Sequence, residues 1–440
     1  MQASLRLLTH RKFLPLFTTQ FLGAFNDNLF KTAMILFATF TVFKDPRQES
    51  SFNAIATGLF ILPFFLLSAL SGQLADHMDK AKIIRMVKLA EIGIMIVGAI
   101  GLLLCETFPM TGVALMLVAV LAMGVHSTFF GPIKYAILPQ HLDEDHVLGG
   151  TGLVEAGTYI AILAGTIVAG WIDPPMAAGA VLLIAVIGWF SGRMIPPAPR
   201  LGPPVDLDFN MFRASWRLIN ATMHIRRLFL AIMSISFFWM IATVLVIIFP
   251  PLVKNDFTSS KEVASMFLAI FSVGVAVGSV VINRLLQGHV SARYAPISVL
   301  MMGAFVWFFE YVSGGWVPAP GGALYTVSEF LAEPHSWRVL FALFGIALFG
   351  GMFVVPLYAF MTTTVAKDEA ARTVAANNVV NSGAMVFGAL VILGATGAGL
   401  SNRLALLVVV VMCVFSAALA IMLQRACDRE HRAARGHGLP

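Results

Sequence analysis

The chain has 440 residues, of which 58% are hydrophobic and 12% charged, with a mean hydropathy of +0.85. Soluble domains carry about 25% charged residues, so this composition excludes a water-soluble surface and makes lipid the expected solvent. The formal net charge of +6 is spread over loops and ends, which points to membrane topology and away from nucleic-acid binding.

A helix needs about 20 apolar residues to cross the hydrocarbon, because it alone satisfies its backbone polar groups there. In chain order, the runs fall at 14–43, 55–75, 83–104, 110–130, 152–172 and 177–195. After a Pro-rich gap come 228–253, 263–286, 295–312, 339–361, 374–397 and 403–423. The pattern predicts an all-α integral membrane protein of about twelve spans. Its first half is residues 1–195, a cytoplasmic linker with an amphipathic helix is 196–227, the second half is 228–424, and a tail is 425–440. With the N-terminus inside, the inner segments hold 21 Lys and Arg, the outer loops six, and two lie within spans, so both termini are expected in the cytoplasm.

Between the halves, Pro196, Pro197, Pro199, Pro203 and Pro204 preclude a helix and predict a semi-rigid linker. Phe209, Phe212, Trp216, Ile219 and Met223 then recur at steps of three and four, with Arg213 and Arg217 off that stripe. Such a helix lies on the membrane surface or packs on the bundle. An internal repeat relates the halves. Pro132 and Pro356 end the fourth and tenth spans 224 residues apart, and Glu155 and Asn381 open the fifth and eleventh 226 apart. Parallel six-helix halves place a binding site between them near the midplane.

Ionisable residues in spans carry the functional expectation. Asp27 lies about 13 residues into the first span, about 20 Å deep, where an unpaired carboxylate costs about 2.5–3.5 kcal/mol. Lys31 follows at i+4 on the same face, so the two are expected to pair in a central cavity with Asn28 beside them. Lys88 and Glu91 lie near the cytoplasmic end of the third span and read as snorkelling. Lys134 reads as snorkelling or as a contact to a lipid phosphate, and Glu155 with Asn381 as a paired gate or head-group contact. His126 and Glu310 read as packing partners. The three cysteines have neither metal-ligand nor disulfide spacing. No nucleotide-phosphate motif, metal cluster or nucleophile triad is present, so no cofactor is expected and transport is secondary or passive.

Gly72, Asp76, Lys80 and Lys82 resemble the major facilitator signature between the second and third helices. There Gly permits close helix approach, and Asp76 and the two lysines would hold and release the inner gate. The segments Gln20 to Asn28, Gly131 to Leu138, Gly152 to Ala156 and Gly351 to Leu357 are similar to the lysophospholipid transporter (LplT-type) family of the major facilitator superfamily. The resemblance implies a major facilitator fold of two pseudo-symmetric six-helix halves. It also implies movement of lysophospholipids, such as lysophosphatidylethanolamine, from the outer to the inner leaflet of the bacterial inner membrane. Asp27 with Lys31 is similar to members fused to an acyltransferase and acyl-carrier-protein synthetase; here that reacylating enzyme is expected to be a separate partner. Free-standing members carry an Arg in the seventh span, whereas residues 237–249 hold no charge. A proton-coupled exporter of hydrophobic small molecules, with Asp27 or Glu155 as proton carrier, is the alternative.

Overall fold

The computed structural model describes residues 7–200, 209–287, 291–319, 323–365 and 370–436. Twelve long helices run through them. In the first half they are α1 (Leu14–Phe37), α2 (Pro46–His77), α3 (Lys80–Leu104), α4 (Pro109–Ala136), α5 (Glu144–Trp171) and α6 (Pro174–Arg193). In the second they are α7 (Arg226–Asn255), α8 (Lys261–Leu285), α9 (Ala295–Ser313), α10 (Ser336–Thr363), α11 (Ala370–Gly397) and α12 (Asn402–Gly436). Ten of the twelve are long and apolar enough to cross a membrane. In α5 the apolar stretch shortens to Ala156–Trp171, and α1 is diluted by Gln20, Asn26, Asp27, Asn28 and Lys31.

Local chemistry sets the ends. Proline occupies the first turn of α1, α4, α6 and α9, where its missing N–H costs nothing. Asp79 caps α3 by accepting from Ala81 N at 2.9 Å and Lys82 N at 3.2 Å. At the start of α2 the helix begins nine residues before the expected span, because its polar residues have partners. Glu49 accepts from Lys254 Nζ and Asn255 Nδ2, each at 2.5 Å, and Ser50 Oγ donates to Asn402 Oδ1 at 2.7 Å.

Two compact units emerge: Met1–Lys44 with Leu59–Ala214, and Asp45–Gly58 with Ser215–Pro440. Within the first, α1 packs on α5 and α6, and α3 on α4 and α6. The second repeats every one of these pairings six helices later: α7 on α11 and α12, and α9 on α10 and α12. Glycines mark equivalent crossings. A Cβ on Gly124 of α4 would lie 2.3 Å from Phe60 O of α2, and one on Gly351 of α10 would lie 2.3 Å from Val275 O of α8. Only a residue without a Cβ allows backbones so close.

The residues expected to form a semi-rigid linker begin packed against the first unit. Ile195 and Ala198 are buried in one core with Ala75, Ala81, Ile83 and Ile84. Ala198 O accepts from Lys80 N at 3.0 Å, and Ile195 O from Arg85 Nη2 at 2.8 Å. Pro203 and Pro204 lie outside the described residues. The helix Met211–Met223 follows, with Phe212 70% and Trp216 69% exposed and Ala214, Ser215 and Thr222 turned inward. Of its apolar stripe, Phe209, Phe212 and Trp216 are exposed, and Ile219 and Met223 are half-buried.

Candidate functional site

Asp27 on α1 accepts a 2.5 Å hydrogen bond from Ser127 Oγ on α4. Ser127 Oγ lies 3.4 Å from His126 Nδ1, and His126 Nε2 lies 3.2 Å from Glu91 Oε2 on α3. Glu91 forms an ion pair with Lys88 one turn earlier and accepts from Asn26 Nδ2 at 3.0 Å. Asp27, Ser127, His126, Glu91 and Lys88 thus form a continuous polar run across three helices. Asp27 Oδ1 is buried and has no hydrogen-bond partner among the described residues, which leaves it able to accept from a further donor.

The snorkelling expected for Lys88 and Glu91 is corrected by their burial: their side chains are each 1% exposed. Space for Lys88 comes from Gly23 on α1 and Gly188 and Gly192 on α6. A Cβ at these positions would lie 3.1, 3.2 and 3.4 Å from its side chain. These glycines form a sleeve on α1 and α6 that leaves room for the buried lysine beside its carboxylate on α3. His126, read as a packing partner, is a member of the polar run.

Asp27 and Lys31 share a helix face, but no ion pair joins them among the described residues. Lys31 Nζ sits 4.7 Å above the ring centroid of Phe60 on α2. The flanking helices supply another partner to each: a hydroxyl for the carboxylate and an aromatic face for the ammonium. Asn28 Nδ2 donates to Ala24 O of its own helix at 2.9 Å.

A second rung lies seven residues away on both helices. Lys134 Nζ on α4 donates to Thr158 Oγ1 on α5 at 3.2 Å, and Thr158 Oγ1 donates to Gln20 Oε1 on α1 at 2.8 Å. Gln20 is 1% exposed, and its Nε2 has no hydrogen-bond partner among the described residues. Seven residues are nearly two turns, about 10.5 Å. The steps from Gln20 to Asp27 and from Ser127 to Lys134 therefore place an amide-and-ammonium rung below a carboxylate rung on the same helix faces. Sequence reasoning missed Gln20, Ser127 and Thr158, since uncharged polar residues in a span carry little signal.

In the second unit, Asn381 Oδ1 accepts from Ser236 Oγ at 2.7 Å, and its Nδ2 donates to Tyr358 OH at 3.2 Å. Trp239 Nε1 also donates to Tyr358 OH, at 2.7 Å. Tyr358 stands 224 residues after Lys134, the spacing of the proline pair, so one repeat position is cationic in the first half and phenolic in the second. That spacing was the signal that could have found it. Glu310, read as a packing partner, accepts from Arg403 Nη2 at 2.6 Å.

At the expected inner gate, Lys80 is buried and Lys82 exposed. A Cβ on Gly72 would meet nothing within 4 Å among the described residues. Asp76 and Glu155 lie on α2 and α5, with side chains outside the described residues.

The family model described as Major Facilitator Superfamily matches residues 16–308. A lysophospholipid transporter LplT of Photorhabdus laumondii is 26% identical over 351 residues, covering 78% of each chain. One from Klebsiella pneumoniae is 24% identical over 383 residues, covering 83% of each. Among solved structures, a POT family transporter aligns with a TM-score of 0.66 at 11% identity, covering 94% of this chain and 95% of that one. The nucleoside transporter NupG aligns at 0.65 and 14%, covering 93% and 99%. With twelve long helices, a packing pattern repeated after six, and a family model spanning most of its length, the chain belongs to the Major Facilitator Superfamily.

Proposed function

We propose that this protein is a lysophospholipid transporter of the bacterial inner membrane. It moves lipids such as lysophosphatidylethanolamine from the outer to the inner leaflet by alternating access, with both termini in the cytoplasm. A separate acyltransferase and acyl-carrier-protein synthetase then reacylates the product. The relatives named as lysophospholipid transporters support this substrate class.

The observation that carries the reading is the pair of rungs. A zwitterionic head group presents an ammonium and a phosphodiester. The unpartnered Asp27 Oδ1 suits the ammonium, and Lys134 with Gln20 Nε2 suits the phosphate oxygens. Because about 10.5 Å separates the rungs along the helices, they act as successive stations on the way to the cytoplasm. The single acyl chain remains among lipid tails or apolar side chains, which limits what the protein must desolvate. Lys31, Glu155 and Asn381 are further substrate contacts in this reading, and Gly72, Asp76, Lys80 and Lys82 serve the inner gate.

Reconstitution into vesicles with labelled lysophosphatidylethanolamine tests it: uptake is expected in the wild type and loss of uptake in Asp27→Asn. Normal uptake by a well-expressed Asp27→Asn protein would overturn the role of the carboxylate. A second reading, a proton-coupled exporter, is favoured by the close polar contacts that lead from Asp27 through Ser127 and His126 to Glu91. It requires that an imposed proton gradient drive the movement of drug-like cations, and that lysolipid fail to move.

A further inference from the structure

Asp27 and Lys31 stand four residues apart on α1 with the acid N-terminal to the base, the spacing and the order that favour an ion pair within a helix. No such pair joins them among the described residues. Each is held from a neighbouring helix instead. Ser127 Oγ of α4 donates to Asp27 Oδ2 at 2.5 Å, and the Phe60 ring of α2 has its centroid 4.7 Å from Lys31 Nζ. Both holders are themselves fixed. His126 Nδ1 lies 3.4 Å from Ser127 Oγ, and the Phe64 ring lies 5.7 Å from that of Phe60. Gly124, about one turn before Ser127 on α4, lets the Phe60 backbone approach so closely that a Cβ there would lie 2.3 Å from Phe60 O. One crossing of α2 and α4 thus presents both the hydroxyl and the ring to α1.

An ion pair inside α1 would neutralise both groups in a medium of low dielectric, and a ligand would have to break it before binding. A hydroxyl and a ring face hold the two side chains while leaving their charges in place. We propose that Ser127 and Phe60 are positioning residues: they keep the Asp27 carboxylate and the Lys31 ammonium apart, so that a zwitterionic head group meets both, its ammonium at Asp27 and its phosphate at Lys31. This rests on the lysophospholipid reading above and adds to it the residues that set how tightly the head group is held.

Two features of the contacts suit this role. A serine has one hydroxyl proton to give, and here it goes to Oδ2, while Oδ1 has no hydrogen-bond partner among the described residues. The carboxylate is therefore oriented by one oxygen and keeps the other for a ligand. Four residues rise about 6 Å along the axis, short enough for one head group to touch both side chains. Such an arrangement is assembled before the substrate arrives, which removes from binding the cost of separating the charges.

The test compares the full chain as wild type, Ser127→Ala, Lys31→Gln and Ser127→Ala/Lys31→Gln. The first measurement uses no lipid substrate. In Ser127→Ala the freed carboxylate turns to Lys31, so Lys31→Gln is expected to lower the melting temperature more in that background than in wild type. An equal drop in both backgrounds overturns the proposal, whatever the substrate. The second measurement is uptake of lysophosphatidylethanolamine into vesicles. Ser127→Ala is expected to raise KM by about tenfold with the maximal rate little changed, and Ser127→Thr, which keeps the hydroxyl, to restore the wild-type KM. An unchanged KM in Ser127→Ala, or a loss confined to the maximal rate, overturns the positioning role. Should Ser127→Ala fail to purify, Phe60→Leu gives the same comparison from the side of the ammonium, with Phe60→Tyr as its conservative control. A wild-type protein that does not take up this lipid overturns the transport reading, and with it the head-group assignment.

Discussion

Lys88 and Glu91 form an ion pair one turn apart on α3 with each side chain 1% exposed, in a segment that must lie among apolar helices. Burying two charges is tolerated only where they compensate each other and their remaining hydrogen-bonding positions are filled. Here Asn26 Nδ2 donates to Glu91, and His126 Nε2 lies 3.2 Å from its second oxygen. Lys88→Met leaves the carboxylate uncompensated and is expected to destabilise the protein by about 3–5 kcal/mol, read from thermal unfolding in detergent. Lys88→Met/Glu91→Gln removes both charges and is expected to recover most of that loss. A double variant as unstable as the single one would show that packing of the lysine stem, and not charge pairing, dominates.

Glycines at 72 and 124 make opposite demands. A Cβ on Gly124 would sit 2.3 Å from a backbone oxygen, which cannot swing aside, so Gly124→Ala is expected to cost about 1–3 kcal/mol by forcing α2 and α4 apart. Gly72 has open space around the same atom, so Gly72→Ala is expected to leave thermal stability unchanged or raise it by about 0.5–1 kcal/mol through helix propensity. If Gly72→Ala melts normally yet slows transport, the close approach occurs only in another conformation of the cycle.

The fold was legible because hydrocarbon imposes one length and one composition on every span, and because the proline pair survived the divergence of the two halves. Asp27 was legible for the complementary reason: a charge at that depth demands an explanation. The partners were not. Ser127 lies 100 residues from Asp27, and Asn26 lies 65 from Glu91, so no local spacing announces either hydrogen bond. The sleeve around Lys88 draws on glycines from α1 and α6, which look in the sequence like any other small residues of a membrane helix. At the start of α2, polar character suggested a loop because Lys254, Asn255 and Asn402 are about 200 to 350 residues away along the chain.

Lys134 distinguishes a phosphate station from a snorkelling lysine. Its hydrogen bond to Thr158 and its position 4.9 Å from the Tyr135 ring centroid hold the ammonium over the first unit's lower rung. Lys134→Met removes one charge-assisted hydrogen bond, worth about 1.5–3 kcal/mol, and is expected to reduce uptake of lysophosphatidylethanolamine at low concentration by about tenfold or more. Lys134→Arg keeps the charge and is expected to retain most of the activity. Gln20→Leu should weaken uptake less, since it removes a neutral donor. Full uptake by Lys134→Met in vesicles would assign this lysine to topology alone.

Asp256, just past the end of α7, offers a pH test outside the spans. Burial raises its pKa from 3.8 to about 6, against the opposing pull of Arg403 and a hydrogen bond with Asn402. Arg403 is shared with Glu310, so it compensates Asp256 only in part. A folded-state pKa above the unfolded one means that the native protein binds this proton more tightly. The stabilisation is complete below about pH 4 and is lost as pH rises through about 6. Asp256→Asn keeps a neutral side chain at every pH, so relative to wild type it is expected to gain about 1–3 kcal/mol between pH 5 and pH 7.5. Parallel melting curves at the two pH values read this difference directly. Parallel loss in both proteins would mean that the Arg403 cluster holds Asp256 charged throughout.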